Sequence, residues 1–106
     1  MNGQIPESAR TLVKQRARFR CERCGVPSPG GHWHHRRSRS VRDVHRHCPC
    51  NGVWLCPTCH EWVHGHPFEA RGRGFIMSKF VEEPSTVPTL SVRGATYYDC
   101  TGGSRT

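Results

Sequence analysis

The first apolar stripe along the chain predicts an N-terminal helix. Residues 8–19, SARTLVKQRARF, begin with a serine that can cap a helix. Leu12, Val13 and Phe19 fit one short apolar face at helical spacing, and arginines occupy the other positions. The next residues, CERCG, read as a tight turn that ends at Gly25.

Two short strands are predicted farther along the chain. In HWHHR, alternation places Trp33 and His35 on one face and His34 on the other. In NGVWLC, Val53 and Leu55 share one face. The segment VPSPGG before the first strand reads as a turn, and the basic segment RSRSVRDVHRHCPC between the strands reads as a loop.

A second helix is predicted directly after the second strand. The segment PTCHEWVHGH opens with proline and threonine, carries Cys59 and Trp62 at helical spacing, and should end near Gly65. PFEARGRG then adds one or two helical turns. The following segment has strand-like runs on both sides of Gly94, which predicts a hairpin. The last residues, TGGSRT, are predicted to be disordered.

Composition indicates one small domain that needs a metal. The chain has 106 residues, of which only 34% are hydrophobic, so its core must be thin. Seven cysteines and eight histidines are present. We find no apolar segment typical of a signal peptide and no run near the roughly 18 residues of a membrane span. We therefore expect the protein to lie in the reducing cytoplasm. Cysteine pairs there bind a metal more often than they form a disulfide.

The charge of the chain is strongly positive and unevenly placed. Sixteen basic residues, fourteen of them arginine, face eight acidic ones. Residues 1–80 hold 14 basic and 5 acidic groups, whereas residues 81–106 hold 2 and 3. The guanidinium fork matches two phosphate oxygens, so this composition favours nucleic acid as partner. The alternative is a basic surface that serves only solubility.

Two matching cysteine pairs predict a structural zinc site. Cys21 and Cys24 form one C-x-x-C pair, and Cys56 and Cys59 form the other. Two such pairs supply the four thiolates that complete a tetrahedral zinc shell. The alternative is two unrelated pairs of buried thiols. The two pairs are separated by 31 residues, more than in a simple zinc ribbon. We therefore expect the segment between them to have a function of its own.

The stretch CPTCHEWVH, residues 56–64, carries two histidines besides two cysteines. Cys59 and His60 are helical neighbours that point roughly 100° apart, so they cannot easily bind one ion. His60 and His64 are four residues apart and share a face, the usual spacing of two ligands of one metal. We therefore expect this stretch to serve two metals. The alternative is that both histidines lie on the surface without a ligand.

These residues together resemble the HNH endonucleases, the ββα-metal nuclease family. The resembling segments are HWHHRR (32–37), NGVWLCPTCHEWVH (51–64) and the flanking CERCG, and Asn51 precedes His60 by nine residues. The resemblance covers roughly residues 18–75. The cysteine pairs and short length look most like the small HNH proteins of bacteriophages.

The resemblance implies the fold class and the activity. The fold would be α+β, a small zinc-stapled ββα-metal (HNH, treble-clef-like) domain with an N-terminal helix and a C-terminal β-hairpin extension. The nuclease domain would cover residues 1–80, and the extension would cover residues 81–106 as a hairpin and a disordered tail. The activity would be metal-dependent hydrolysis of DNA phosphodiester bonds, by nicking or cutting double-stranded DNA.

The resemblance also assigns roles to residues. His35 would be the general base, and His34, His60 and His64 would bind one catalytic divalent ion. Many relatives carry aspartate in place of His34, so the choice among Mg²⁺, Mn²⁺, Ni²⁺ and Zn²⁺ stays open. Asn51 would hydrogen-bond backbone groups and so hold His35 in place. Zn²⁺ would occupy the four-cysteine site.

Elementary chemistry agrees with a division of labour between the adjacent histidines. Imidazole can accept a proton from water near neutral pH, because its ordinary pKa is about 6.5. Neighbouring residues of a strand point to opposite faces, so His34 and His35 suit different tasks. Five arginines lie within eleven residues beside them, and we expect phosphate contacts from this loop. The DNA-contacting residues that we predict are Arg36, Arg37, Arg39 and Arg42.

The resemblance implies partners and leaves alternatives. We expect a monomer that binds double-stranded DNA, in the host cytoplasm if the chain is phage-encoded, without membrane contact. Phage terminase or packaging proteins would be further partners, and the chain would then cut only inside a larger assembly. The rival function is a non-catalytic zinc module that binds nucleic acid, which would not need the four histidines and Asn51 together.

Some residues have no assigned role. Cys48 and Cys50 either bind a further metal with His45 or His47, stay free, or exchange with the main zinc site. Cys100 has no assigned role either. The three tryptophans are predicted to pack in the core rather than stack on bases.

Overall fold

The chain forms a small α+β structure with short helices and two antiparallel sheets, as predicted. This computed structural model describes residues 4–106. Two short 3₁₀ turns, Pro49–Asn51 and Pro84–Thr86, accompany the main elements. In chain order these are α1 (Glu7–Arg16), β1 (His32–His35), β2 (Gly52–Leu55), α2 (Pro57–Gly65), α3 (Pro67–Gly72), β3 (Thr89–Ser91), β4 (Gly94–Tyr98) and β5 (Ser104–Arg105).

Helix α1 differs from the prediction at both ends. It begins at Glu7, so Ser8 lies inside the helix and does not cap it. It ends at Arg16, and Phe19 has a φ of 60°, so the chain has already left the helical direction there. Phe19 and Leu12 are therefore exposed rather than part of an apolar stripe. The buried face consists of Ala9, Val13 and Arg16.

The buried guanidinium group of Arg16 forms hydrogen bonds and a ring contact inside the protein. Its guanidinium makes a bidentate contact with Glu22, with Nη2 2.7 Å from Oε1 and Nε 3.1 Å from Oε2. It also donates to the carbonyl oxygens of Pro49 and Gly52 and lies 3.6 Å from the ring centre of Tyr98. One arginine thus joins α1, the strand β2 and the C-terminal extension.

Strands β1 and β2 form an antiparallel hairpin that presents the adjacent histidines. His34 lies opposite Val53, and His35 lies opposite Gly52. A Cβ atom on Gly52 would sit 2.4 Å from the ring of Trp33, so only glycine fits there. The close approach of that ring keeps the end of the hairpin compact.

The core lies on both sides of β2. Val53 and Leu55 face one apolar cluster, and Trp54 faces another, as alternation predicts. The first cluster also contains Val63, Phe75 and Tyr98. The second cluster contains Ala9, Val13, Ala17 and Trp33.

The C-terminal segment is more ordered than predicted. Strands β3 and β4 form the expected hairpin, and Tyr98 of β4 is buried in the core. Ser104 pairs with Tyr98, so the last residues form a strand and not a disordered tail. The reason is a turn held by Asp99, whose Oδ1 accepts hydrogen bonds from the N–H groups of Thr101 and Gly103. The extension is therefore packed onto the rest of the domain.

Candidate metal centres and cleft

The four cysteines of the two C-x-x-C pairs meet at one point. Their sulfur atoms all lie within 4.8 Å of one another. Cys56 stands at the N-terminus of α2, where its sulfur accepts a hydrogen bond from the N–H of Cys59. The sulfurs of Cys24 and Cys56 are 3.9 Å apart, close to the ~3.8 Å edge of a tetrahedron with zinc–sulfur bonds of about 2.3 Å. This cluster could hold a metal ion, as predicted.

The surroundings shift the pKa values of three thiols of this cluster in different directions. Burial opposes ionisation of Cys21, but backbone hydrogen bonds from Cys56, Cys24 and Arg23 outweigh it and lower its pKa to about 7. Burial raises the pKa of Cys24 and raises that of Cys59 to about 12. One thiolate is thus favoured and its neighbours resist ionisation unless a positive ion neutralises them.

Three histidines form a second cluster beside the first. His34 from β1 and His60 and His64 from α2 place one ring nitrogen each within 4.8 Å of the others. The Nε2 atoms of His60 and His64 are 3.1 Å apart, near the ~3.3 Å expected for two imidazoles on one tetrahedral zinc ion. His34 Nε2 donates to the carbonyl oxygen of Phe75 at 2.7 Å, which leaves Nδ1 with a free lone pair. His32, which we did not predict, lies 2.9 Å from His60 through the two Nδ1 atoms.

The structure therefore divides residues 56–64 between two clusters. Cys56 and Cys59 belong to the thiol cluster, and His60 and His64 belong to the histidine cluster. The division follows from helix geometry, because successive residues of α2 point about 100° apart.

His35 has surroundings different from those of His34. It is half-buried, and its Nε2 lies 3.1 Å from Nδ1 of His47. Its ring centre is 6.0 Å from that of Trp33, on the same face of β1. Because Nε2 is directed to His47, Nδ1 is the nitrogen left to contact water or substrate. No spacing pattern along the chain predicts the contact with His47.

The pKa values of three site histidines, His34, His35 and His60, are lowered. Burial, with repulsion from His60, His64 and Arg36, lowers the pKa of His34 to about 4. Burial and the nearby charge of Arg39 lower the pKa of His35 to about 3. Burial and the neighbouring imidazoles also lower the pKa of His60. Neutral imidazoles carry the lone pair that binding a metal or accepting a proton requires.

Asn51 forms hydrogen bonds with the backbone of the two residues that follow His35. Its buried Oδ1 accepts from the N–H of Arg37 at 2.8 Å, and its Nδ2 donates to the carbonyl oxygen of Arg46 at 3.1 Å. The backbone oxygen of Asn51 also accepts from the N–H of Arg36 at 2.9 Å. The two ends of the basic loop are thereby tied to the end of β1.

The prediction that Arg36 and Arg37 contact DNA is wrong. Each is only 1% exposed, and their guanidinium groups point into the protein. Arg36 donates to the carbonyl oxygens of Gly74, Cys50, Pro84 and Val87. Arg37 bonds to Val81, Glu82 and Asp43. Both arginines thus donate hydrogen bonds to backbone carbonyl oxygens, several of them in the C-terminal extension. Their position in a basic run of the sequence does not reveal this structural role.

Arg39 and Arg42 remain exposed. Arg39 lines a groove of about 300 Å³ whose wall includes His34, His35, His60 and His64. A neighbouring groove of about 510 Å³ shares three of these histidines and adds the cationic side chains of Arg71 and Lys79. Arg42 lies on the same loop beside a different depression. The histidine cluster thus lines two open grooves, and each groove also carries positively charged side chains.

Comparison of the chain with protein families, curated proteins and solved structures found no match. Within residues 4–106, no helix is both long and apolar enough to cross a bilayer. Two histidines that we did not predict contact the site through ring nitrogens: His32 contacts His60, and His47 contacts His35.

Proposed function

We propose that this chain is a metal-dependent endonuclease of the HNH type that hydrolyses DNA phosphodiester bonds. The observation that carries the proposal is the convergence of His34, His60 and His64 in an open groove, with His35 beside them and Arg39 on the rim. A module that only binds nucleic acid would use the thiol cluster and the arginines. It would not need three converging imidazoles, nor the fourth imidazole of His35, which contacts His47.

The histidine cluster fits a divalent ion by its donor chemistry. Three imidazole nitrogens form an incomplete shell, as in catalytic rather than structural sites. A divalent ion bound there would supply Lewis-acid stabilisation of charge on the phosphate and the leaving oxygen. Imidazole suits zinc and nickel better than magnesium, so we propose that these two ions bind more tightly. The carbonyl of Phe75 fixes the tautomer and orientation of His34.

His35 supplies the general base in this proposal. Its Nδ1 accepts a proton from the attacking water, while His47 holds Nε2. Asn51 fixes the backbone just beyond His35, which limits how far the ring can move. The low pKa of His35 makes it a weak base in the free protein. A phosphate bound in the groove would raise that pKa, because its negative charge stabilises the imidazolium.

DNA binding rests on exposed cations around the groove. Arg39 lines one groove beside the histidine cluster, and Arg71 and Lys79 line the neighbouring groove. A phosphate bound in either groove would lie beside His34, His35 and His64. Arg42, farther along the loop, would contact a more distant phosphate. The buried Arg36 and Arg37 take no part in this surface.

A plasmid assay tests the proposal. Supercoiled plasmid is incubated with purified protein and Mg²⁺, Mn²⁺, Ni²⁺ or Zn²⁺ in turn, and conversion to nicked or linear forms is measured on a gel. We expect cleavage by the parent chain and its loss in His60→Ala and His64→Ala. His66→Ala is the matched control, because His66 is an exposed histidine that stacks on Trp62 outside the cluster.

The control should cut like the parent. DNA binding without cleavage in any metal would contradict the nuclease proposal. It would favour the non-catalytic zinc module instead.

A further inference from the structure

A third cluster of metal-binding side chains lies apart from the two already described. It consists of His45, Cys48, Cys50 and Cys100, with their ligand atoms within 4.8 Å of one another. Three of these residues belong to the loop before β2, and Cys100 comes from the extension after β4. The nuclease proposal uses none of them.

Three of the four distances inside this cluster match the edges of a tetrahedral site, and the fourth is slightly shorter. The sulfur of Cys50 lies 3.3 Å from that of Cys48 and 3.7 Å from that of Cys100. The Nδ1 atom of His45 is 3.8 Å from the sulfurs of both Cys50 and Cys100. One zinc ion bound by thiolate and imidazole would give edges of about 3.5–3.8 Å. A disulfide would need sulfurs about 2.05 Å apart, so no cysteine pair here is bonded.

Local hydrogen bonds hold each part of this cluster in place. The N–H of His45 donates to Asp43, and the N–H of Cys48 donates to the carbonyl oxygen of His45. Cys50 lies in a 3₁₀ turn and is buried. Cys100 directly follows Asp99, whose carboxylate organises the next turn. The ligands are therefore positioned by the fold and not only by chance proximity.

We propose that His45, Cys48, Cys50 and Cys100 bind a second structural zinc-class ion. Three thiolates and one imidazole form a complete tetrahedral shell without a position for substrate. The ion joins the arginine-bearing loop to the C-terminal extension. It thereby fixes His47, which lies between two of the ligands in sequence and contacts His35.

Zinc content tests this site without reference to cleavage. Parent protein and Cys100→Ser are produced with zinc, treated with a weak chelator to clear open sites, and analysed by mass spectrometry for metal. We expect about two zinc ions per parent chain and about one per variant chain, since closed thiolate sites resist mild chelation. Thr101→Ala is the matched control, because it disturbs the same turn without removing a ligand, and it should keep the parent content.

Alkylation of the parent chain gives a second readout that needs no variant to fold. Cys100 is exposed, so a free thiol there would react with iodoacetamide at once. In zinc-loaded protein we expect Cys48, Cys50 and Cys100 to be protected, and to become reactive together when a strong chelator removes the ion. Equal zinc content in parent and Cys100→Ser would overturn the proposal. Immediate alkylation of Cys100 in zinc-loaded protein would overturn it as well.

Discussion

At the scale of single residues, His34 and His35 are neighbours with separate partners. His34 reaches toward His60 and His64, whereas His35 contacts His47. Their opposite directions follow from the alternation of β1. A substitution at one position should therefore leave the surroundings of the other almost intact.

This separation predicts different losses for the two histidines. His35→Ala should lower cleavage by about 10² to 10⁴-fold, the usual contribution of a positioned general base. It should still bind Mn²⁺ or Ni²⁺, because the three ligands remain. His34→Ala should lose both cleavage and metal affinity. Titration calorimetry distinguishes the two, and the reverse pattern of metal binding would exchange the assigned roles.

A second prediction at this scale concerns Arg36. Arg36→Ala would remove the buried guanidinium that donates to four backbone carbonyl oxygens. Those of Gly74 and Pro84 keep another donor, whereas those of Cys50 and Val87 would lose this donor. We expect the free energy of unfolding to fall by about 3 kcal/mol or more, since unsatisfied buried groups are costly. Urea denaturation measures the change. Arg39→Ala, the exposed control, should stay within about 0.5 kcal/mol of the parent, and equal effects would contradict the structural role of Arg36.

At the scale of elements, helix α2 serves both the thiol cluster and the histidine cluster. Its first turn carries Cys56 and Cys59, and its remaining turns carry His60 and His64. The thiol cluster has the donors of a closed shell, and the histidine cluster has those of an open one. The two should differ in how easily they release metal.

Mild EDTA treatment should therefore stop cleavage while zinc and the folded structure remain. An open site exchanges its ion readily, whereas a closed thiolate shell does not. Metal analysis and circular dichroism on the same sample check this. Cys59→Ser should unfold or precipitate instead. Loss of all metal together with activity would contradict two separate kinds of site.

The elements that could be predicted are those whose signal is local. Strands β1 and β2 follow from alternation, and α2 follows from the helical spacing of Cys59 and Trp62. The end of α1 could not be predicted, because it depends on positive φ angles at Arg18 and Phe19. The burial of Arg36 and the contact of Cys100 with Cys50 depend on the extension folding back, which no local pattern records.

At the scale of the whole molecule, the proposed binding of DNA would depend mainly on positive charge. The net charge is +8, and the exposed Arg39 lines the groove beside the histidine cluster. Binding of phosphates releases counterions, so affinity should fall steeply as salt rises. Among the arginines, only those at the surface can contribute to this dependence.

Replacing Arg39 and Arg42 with alanine should weaken binding to all DNA sequences alike. If each contacts one phosphate, the slope of log affinity against log salt should decrease by about two. Fluorescence anisotropy over a salt series measures the slope. Arg105→Ala, an exposed arginine of β5 that stacks on Tyr97, is the control and should leave the slope unchanged. A change in sequence preference of the double variant would mean that these arginines read bases.

The short length of α2 bears on when a newly synthesised chain could become active. A helix of nine residues is marginal on its own, so α2 persists because the thiol cluster and the buried Val63 hold it. His60 and His64 share one face only when that helix exists. On the proposed function, a newly synthesised chain would be unable to cut DNA until it has taken up zinc. The cell that makes the protein would therefore be protected from it during synthesis, and zinc supply would set the moment at which that protection ends.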